Sequence, residues 1–222
     1  MSYKVFGMTL GPIATNCYCL EDDKTGQAIM VDATGNIDKL MDRIEANGAK
    51  PIALLLTHAH FDHIDAVDKV RNRYPDIKVY IGENDAPLLS NPMYNLSVAF
   101  MDKPITVKAD ETVCDGQVIS LMGLDIKCIE VPGHTIGGMC YYIDYNNKQE
   151  DGSQEGFRII FDGDTLFNGS IGRSDFPTGD GETLINSIRE KLLSLPEDTV
   201  VLPGHDSKTT IGKEKEDNFY FN

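Results

Sequence analysis

The sequence predicts an α+β fold, an αββα sandwich in which two mixed β-sheets pack face to face with helices outside. Each half of the chain begins with short strands separated by turn residues, which is typical of an antiparallel meander. In each half, strand and helix patterns then alternate, which is typical of parallel sheet. With 222 residues, 41% of them hydrophobic, the chain can bury a full core, and we expect residues 1–222 to form one domain.

The first half contains three predicted strands, a helix, a buried strand, a second helix and a last strand. The two helices are recognised by apolar residues at a period of 3.6, and the strands by alternation or by short apolar runs. In chain order these elements cover Tyr3–Leu10, Asn16–Leu20, Ala28–Asp32, Ile37–Ala46, Pro51–Leu56, the helix marked by Ile64, Val67, Val70 and Tyr74, and Lys78–Ile81.

The second half is mainly extended over Thr112–Asp144, with Asp115-Gly116 and Met122-Gly123 as candidate hairpin turns. The segment Tyr145–Gly156 is polar and rich in Asn, Gln, Glu and Gly, which predicts an extended loop. Two strands that flank a helix complete this half, over Arg158–Phe161, about Glu182 to Leu193, and Thr199–Leu202.

The charge of the chain limits its partners. Thirty-five acidic and 20 basic residues give a formal net charge of -15, which repels phosphate backbones and anionic membrane surfaces. We therefore expect a small-molecule substrate, with no nucleic acid and no membrane as partner. The chain is expected to be a monomer or a small homo-oligomer.

The cysteines and the N-terminus predict a cytoplasmic protein. Five cysteines are an odd number, they lack C-x-x-C spacing, and most lie in apolar strand-like stretches. Residues Met1–Leu10 alternate like a strand rather than following the order of a signal peptide, and no apolar run approaches membrane-spanning length.

All five histidines fall in three short motifs. They are Thr57-His58-Ala59-His60-Phe61-Asp62-His63, Pro132-Gly133-His134-Thr135 and Pro203-Gly204-His205. A single histidine is more often structural, but a cluster that uses every histidine of the chain indicates metal binding.

The spacing in the first motif predicts two ions. His58 and His60 are two residues apart in an extended segment, so both rings face one side and one ion. Asp62 and His63 lie where the chain turns into the next helix, and they point towards a second ion. Asp164 follows a predicted strand, as His134 and His205 do, and its two oxygens allow it to bridge both ions.

These motifs resemble the metallo-β-lactamase superfamily, whose pattern is H-x-H-x-D-H, a later histidine, a bridging aspartate in G-D-T and a final G-H. Gly163–Phe167, Gly172–Phe176 and Thr209–Glu214 narrow the resemblance to the short glyoxalase II type of thioester hydrolase. The resemblance implies the metallo-β-lactamase fold and a dinuclear centre with zinc, or else iron or manganese. It assigns the first ion to His58, His60 and His134, and the second to Asp62, His63 and His205, with Asp164 between them.

Two further residues take roles from the resemblance. Asp32 matches an acid that steadies a metal ligand, and Arg173 matches a basic residue that faces the glutathione portion of the substrate. The chain also departs from the glyoxalase II pattern in two respects. Asp175 occupies a position where an aromatic residue is expected. Longer glyoxalase II enzymes bind glutathione partly through a C-terminal helical domain, whereas only 17 residues follow His205 here, so we expect the pocket for the thiol carrier to be absent or rebuilt.

The sequence thus predicts hydrolysis of a thioester, such as a hydroxyacylglutathione-type substrate, by a metal-bridging hydroxide that Asp62 orients. Two alternatives remain open. Persulfide dioxygenases resemble this chain in the G-R-x-D-F stretch, and His58, His134 and Asp164 would hold their single iron. A purely structural metal site is disfavoured because such sites are closed and favour cysteine. By resemblance, hydrolysis of β-lactams is also disfavoured, since dizinc β-lactamases usually place a cysteine where this chain has other ligands.

Overall fold

The computed structural model describes residues 3–148 and 154–222. Its first sheet has the same strand order in space as in sequence: β1 (Tyr3–Leu10), β2 (Thr15–Asp22), β3 (Gln27–Val31), β4 (Lys50–Leu55), β5 (Lys78–Gly82) and β6 (Glu111–Val113). The strands pair antiparallel from β1 to β3 and parallel from β3 to β6. The predicted meander followed by parallel sheet is confirmed.

Five helices connect the strands of this first half: α1 (Asp38–Ala46), α2 (Phe61–Ile64), α3 (Val67–Arg73), α4 (Ala86–Leu89) and α5 (Ser97–Phe100), counted within the described residues. Helix α1 buries Leu40, Met41 and Ile44, the face that its apolar period predicts. Just beyond its end, Gly48 has a φ of +81°, a conformation that glycine adopts without a Cβ penalty.

The second sheet runs in the order β14-β13-β10-β9-β8-β7. Its strands are β7 (Val118–Leu121), β8 (Leu124–Glu130), β9 (Met139–Lys148), β10 (Gln154–Gly163), β13 (Val200–Pro203) and β14 (Thr209–Thr210). Four strands form an antiparallel meander, and β10 then pairs parallel with β13. The remaining elements are the hairpin β11 (Leu166–Phe167) and β12 (Ser170–Ile171), helix α6 (Gly181–Ser187) with a π-helical continuation (Ile188–Leu192), and α7 (Ile211–Asp217).

Three buried clusters confirm the sandwich. The central cluster joins the two sheets, with Leu20 and Leu55 of the first packed in the same cluster as Tyr141 and Phe161 of the second. A second cluster lies between the first sheet and helices α1 and α3, and a third between the second sheet and α6. Within the part of the chain that is described, no helix is long and apolar enough to cross a membrane.

Turn predictions in the second half were partly wrong. Met122-Gly123 does form a hairpin, with positive φ at both residues, between β7 and β8. Asp115-Gly116 instead carries the chain from β6 in the first sheet to β7 in the second. Much of the predicted loop Tyr145–Gly156 is strand, because β9 and β10 pair across it as far as Lys148 and Gln154; residues 149–153 lie outside the described residues.

The helix predicted around Ile64 to Tyr74 is divided into α2 and α3. The interruption at Asp65 and Ala66 has a local cause: Asp65 Oδ1 accepts a hydrogen bond from the Gly35 amide at 2.8 Å, and the Ala66 amide donates to the Ala33 carbonyl at 3.1 Å. The Asp65 amide still donates to the Phe61 carbonyl, but the Ala66 amide bonds to the loop after β3 and not to the preceding helical turn, so α2 ends here. Helix α2 begins at Phe61, so Asp62 and His63 lie inside it and not before the helix as predicted.

Candidate metal centre

All seven predicted ligands lie beyond the carboxyl ends of strands. The motif with His58, His60, Asp62 and His63 follows β4, His134 follows β8, Asp164 follows β10 and His205 follows β13. Strands β10 and β13 are parallel neighbours, so their ends meet at one edge of the second sheet. The chain thus brings side chains that are distant in sequence to one edge of the sandwich, as expected.

The first group consists of His58, His60 and His134. The distances are 3.1 Å from His58 Nε2 to His60 Nδ1, 2.9 Å from His60 Nδ1 to His134 Nε2, and 3.1 Å from His134 Nε2 to His58 Nε2. Ligands about 2.0 to 2.1 Å from one ion would stand roughly 2.9 to 3.3 Å apart, depending on the angle between them. The triangle therefore has the size of one metal site.

Hydrogen bonds outside the triangle show which ring nitrogens carry protons. The Arg173 carbonyl accepts from His134 Nδ1 at 2.7 Å, which leaves a lone pair on Nε2. Thr57 Oγ1 donates to Asp32 and so accepts from His58 Nδ1 at 3.2 Å, which leaves a lone pair on His58 Nε2. Lone pairs that face each other repel unless a cation lies between them.

Burial also keeps these rings neutral. Loss of hydration lowers the pKa of His60 to about 3, and the neighbouring His134 adds to the effect. The pKa values of His58 and His134 are lowered mainly by burial as well. Neutral imidazole is the form that binds a metal ion, so the first group is ready to bind near neutral pH.

The second group consists of Asp62, His63 and His205. Asp62 Oδ2 lies 3.3 Å from His63 Nε2 and 3.3 Å from His205 Nε2. His63 donates its Nδ1 hydrogen to Asp32 Oδ2 at 2.7 Å, which turns Nε2 towards Asp62. Asp62 also accepts a hydrogen bond from Thr15 Oγ1 at 2.9 Å. These contacts orient Asp62 and His63, and the ligand atoms of all three side chains lie within 4.8 Å of one another.

Asp164 lies between the two groups. Its Oδ1 is 3.3 Å from His63 Nε2, and its Oδ2 is 3.5 Å from His205 Nε2 and 3.7 Å from His134 Nε2. Each carboxylate oxygen therefore reaches histidines, and together they span both groups. This is the position that a bridging ligand would occupy.

Buried polar atoms without a hydrogen bond, and the negative charge around His63, fit the predicted metal ions. His63 Nε2 and Asp164 Oδ1 are buried, and neither has a well-formed hydrogen bond to any described residue. Burial acts to lower the pKa of His63, but Asp62, Asp32 and Asp164 outweigh it and raise the pKa well above its usual range. Three carboxylates around one imidazole attract positive charge, and a divalent cation supplies it. The residues present fit two ions.

An apolar cavity of about 460 Å³ opens above the two groups. Its floor includes His60, Asp62, His134, Asp164 and His205. Its walls are mostly apolar and include Ile13, Phe61, Leu96, Phe100, Phe167, Ile171 and Phe176. Such a combination of apolar walls and a few convergent polar groups is typical of a small-molecule site.

Arg173 and Asp32, the two residues predicted from the resemblance alone, lie in different places. Arg173 lines the cavity, and its guanidinium pairs with Asp175 at 2.8 Å. Asp32 is buried beneath the centre, where it accepts hydrogen bonds from the Thr57 amide and hydroxyl as well as from His63. The structure agrees with a supporting position for Asp32.

Sequence reasoning missed Asp85. This buried carboxylate accepts from the Ala59 amide at 3.0 Å, from Thr135 Oγ1 at 3.0 Å and from the Gly137 amide at 2.7 Å. It thereby joins the loop of His58 and His60 to the loop of His134. In the sequence, an aspartate just before Ala86-Pro87 has the pattern of an ordinary helix N-cap, so no signal distinguishes it.

Comparison with known proteins decides the family. The model of the metallo-β-lactamase superfamily matches residues 10–147 and 152–205. The chain belongs to this superfamily. The resemblance seen in the histidine motifs is therefore confirmed.

Relatives with curated names point to metallo-hydrolases. The chain is 37% identical over 216 residues to a Bacillus subtilis protein named probable metallo-hydrolase YqgX, covering 97% of this chain and 96% of the relative. It is 34% identical over 209 residues to the hydroxyacylglutathione hydrolase GloC of Haemophilus influenzae, covering 93% and 92%. Together with the histidine and aspartate side chains of the two groups, these likenesses support a metallo-hydrolase of this superfamily.

A solved structure confirms the fold over nearly the whole chain. The BLEG-1 B3 metallo-β-lactamase has a TM-score of 0.86 and 36% identity to this chain, covering 98% of this chain and 99% of that protein.

Proposed function

We propose that the protein is a dinuclear metal-dependent hydrolase of thioesters, the class that includes hydroxyacylglutathione substrates. One observation carries the proposal. Seven side chains that can bind metal converge as two groups of three with Asp164 between them, at the floor of an apolar cavity. The likeness to a hydrolase named for hydroxyacylglutathione, a thioester, supports thioester hydrolysis as the reaction. Imidazole and carboxylate donors suit zinc, and also iron or manganese.

Two divalent ions, when bound, act as Lewis acids and lower the pKa of water towards neutrality. Hydrolysis then forms a bond from the water oxygen to the acyl carbon, breaks the C–S bond and leaves the proton on the departing sulfur. This reaction needs no serine or cysteine nucleophile. The apolar walls exclude bulk water from the acyl group.

Asp62 orients the attacking water. Burial acts to raise the pKa of Asp62, but the imidazoles of His63 and His205 outweigh it, and the pKa lies well below its usual range. Asp62 is therefore ionised at neutral pH, and its carboxylate can accept a hydrogen bond from the attacking water. The Thr15 hydroxyl holds the same carboxylate in place from the other side.

Thioester turnover by metal-loaded protein tests the proposal, with elemental analysis of the same sample. We expect two ions per chain, loss of turnover on chelation, and recovery when metal is restored. Asp62→Asn should reduce kcat by a factor on the order of 10² to 10⁴, the usual range for a group that positions or moves a proton. Asp42→Asn, which alters an exposed side chain paired with Arg73, is the matched control. Full thioesterase activity in metal-free protein would refute the proposal.

The iron dioxygenase alternative uses residues of the same centre. His58 Nε2 and His134 Nε2 lie 3.1 Å apart, and Asp164 Oδ2 lies 3.7 Å from His134. The metal content separates the two functions: one iron per chain with oxygen uptake on a persulfide favours the dioxygenase. Lactones and β-lactams complete the panel, and faster turnover of a β-lactam than of any thioester would replace the proposed substrate class.

A further inference from the structure

Arg173 is the only lysine or arginine that lines the described cavity. Its Nε and Nη2 atoms each donate to one oxygen of Asp175 at 2.8 Å. Its guanidinium carbon lies 3.7 Å from the centre of the Phe176 ring. One edge of the guanidinium is thus occupied by a carboxylate and one face by an aromatic ring.

The contact with Asp175 uses the edge that a substrate carboxylate would need. Arginine binds carboxylates best with two parallel hydrogen bonds from its planar fork, and Asp175 already accepts such a pair. The charges of the two side chains cancel at this point of the cavity wall. A substrate carboxylate would have to displace Asp175 and also approach its negative charge.

The lining residues include no second lysine or arginine, and the wall beside Arg173 is apolar. Ile13 and Phe100 at the cavity are 48% and 55% exposed, so they present apolar surface to an entering ligand. Phe167 and Ile171 continue that surface. The formal charge of the whole chain, -15, adds a further unfavourable term for anions.

We propose that Asp175 is a specificity-determining residue that neutralises Arg173 and adapts the cavity to thioesters with an uncharged thiol portion. The inference rests on the proposed function and narrows its substrate class. Thioesters whose thiol carries carboxylates, as glutathione does, are the disfavoured substrates. Removing the charge of Asp175 would leave Arg173 available to them.

Two lactoyl thioesters that differ only in the thiol test the proposal, one of glutathione and one of the uncharged N-acetylcysteamine. The measured quantity is the ratio of kcat/KM for the charged over the uncharged substrate. We expect Asp175→Asn to raise this ratio by about twofold to fivefold, the upper part of the range for one ion pair at an exposed site. The gain should shrink as ionic strength rises.

Two further variants separate local from global effects. In the double variant Arg173→Gln with Asp175→Asn the gain should disappear, because the cation that Asp175 masks is gone. Asp42→Asn removes one negative charge at a remote side chain that is 67% exposed, against 69% for Asp175, and should leave the ratio unchanged. An equal rise in Asp42→Asn, or a rise that persists in the double variant, would overturn the proposal.

Binding provides a readout that does not depend on turnover. S-hexylglutathione and S-hexyl-N-acetylcysteamine have thioether bonds that a thioesterase does not cleave, and calorimetry on the metal-loaded protein gives both dissociation constants. The wild type should favour the uncharged ligand, and Asp175→Asn should shift the preference towards glutathione. If the wild type cleaves neither thioester, the proposed function fails while this shift still tests the role of Asp175. A wild type that prefers the glutathione ligand refutes that role.

Discussion

His63 donates its Nδ1 hydrogen to Asp32 across 2.7 Å, and the same carboxylate accepts the Thr57 hydroxyl at 2.8 Å. Thr57 in turn accepts from His58 Nδ1. One buried carboxylate therefore fixes a histidine of the second group directly and a histidine of the first group through one hydroxyl. The two groups share a common support, so they are expected to lose metal together.

Asp32→Asn tests this shared support. Asp32 has a φ of +56°, a conformation that asparagine also tolerates, so the backbone should be preserved. The amide cannot accept all three hydrogen bonds, and the affinity for both ions should fall about 10- to 100-fold. Titration against a competing chelator measures the two affinities, with Asp42→Asn as the control. Weakening at only the second group would show that the Thr57 contact does not support His58.

The sequence allowed most of the sheets to be predicted because hydrophobic periodicity is local. Strands β1 to β5 and helix α1 were found from patterns within a few residues of each other. The connection at Asp115-Gly116 was misassigned because a turn between two sheets has the same residue chemistry as a hairpin. Only the tertiary arrangement of β6 and β7 distinguishes them.

The candidate ligands were predictable for a different reason. All histidines of the chain fall in motifs that follow strands, so the residue type and its location in the chain both indicate a metal site. Asp85 and Thr15 were not predictable, because an aspartate before a proline-containing helix and a threonine at the start of a strand are common. Their importance comes from partners that are 26 to 52 residues away in sequence, which a single sequence does not reveal.

Asp85 should make stability depend on pH. Burial raises the pKa of Asp85 to about 6, although hydrogen bonds from Ala59, Thr135 and Gly137 act to lower it. The unfolded chain has an aspartate pKa of about 3.9. Because the folded protein binds this proton more tightly, the contribution to stability is fully present below about pH 4 and is lost as pH rises through about 6. The loss amounts to about 3 kcal/mol.

Denaturant unfolding of metal-free wild type and Asp85→Asn between pH 4.5 and 7.5 measures this effect. The free energy of unfolding of the wild type minus that of the variant should fall as pH rises. Taking the difference removes the titrations that both proteins share. A difference that is flat or rises with pH would contradict the assigned role of Asp85.

Gly204 lies against Asp164 and His63, and a side chain at this position has little space. A Cβ at this position would collide with Asp164 Oδ1 and lie 2.7 Å from His63 Cε1. Gly204→Ala should therefore displace Asp164 or His63, reduce metal content from two ions towards one, and cost about 1 to 3 kcal/mol of stability. Elemental analysis and thermal unfolding measure the two effects.

Gly116→Ala is the matched control for that variant. Gly116 has a φ of +75°, and a Cβ there would meet nothing within 4 Å. The substitution should cost about 1 to 2 kcal/mol through its backbone conformation alone and leave the metal content unchanged. Two tightly bound ions in Gly204→Ala would show that the crowding at Gly204 is relieved without loss of a ligand.

Phe100 should contribute to substrate affinity more than to chemistry. Its ring stacks on Phe61 with centres 5.4 Å apart and meets the edge of Phe176 at 5.8 Å, yet the residue remains 55% exposed at the cavity. Phe100→Ala should raise KM for an uncharged thioester about threefold to tenfold, since an aromatic contact contributes about 0.5 to 1.5 kcal/mol, while kcat changes little. Val98→Ala, on the same helix and 49% exposed but not at the cavity, should leave KM unchanged. A fall in kcat without a change in KM would instead mean that the ring supports the ligands beneath it.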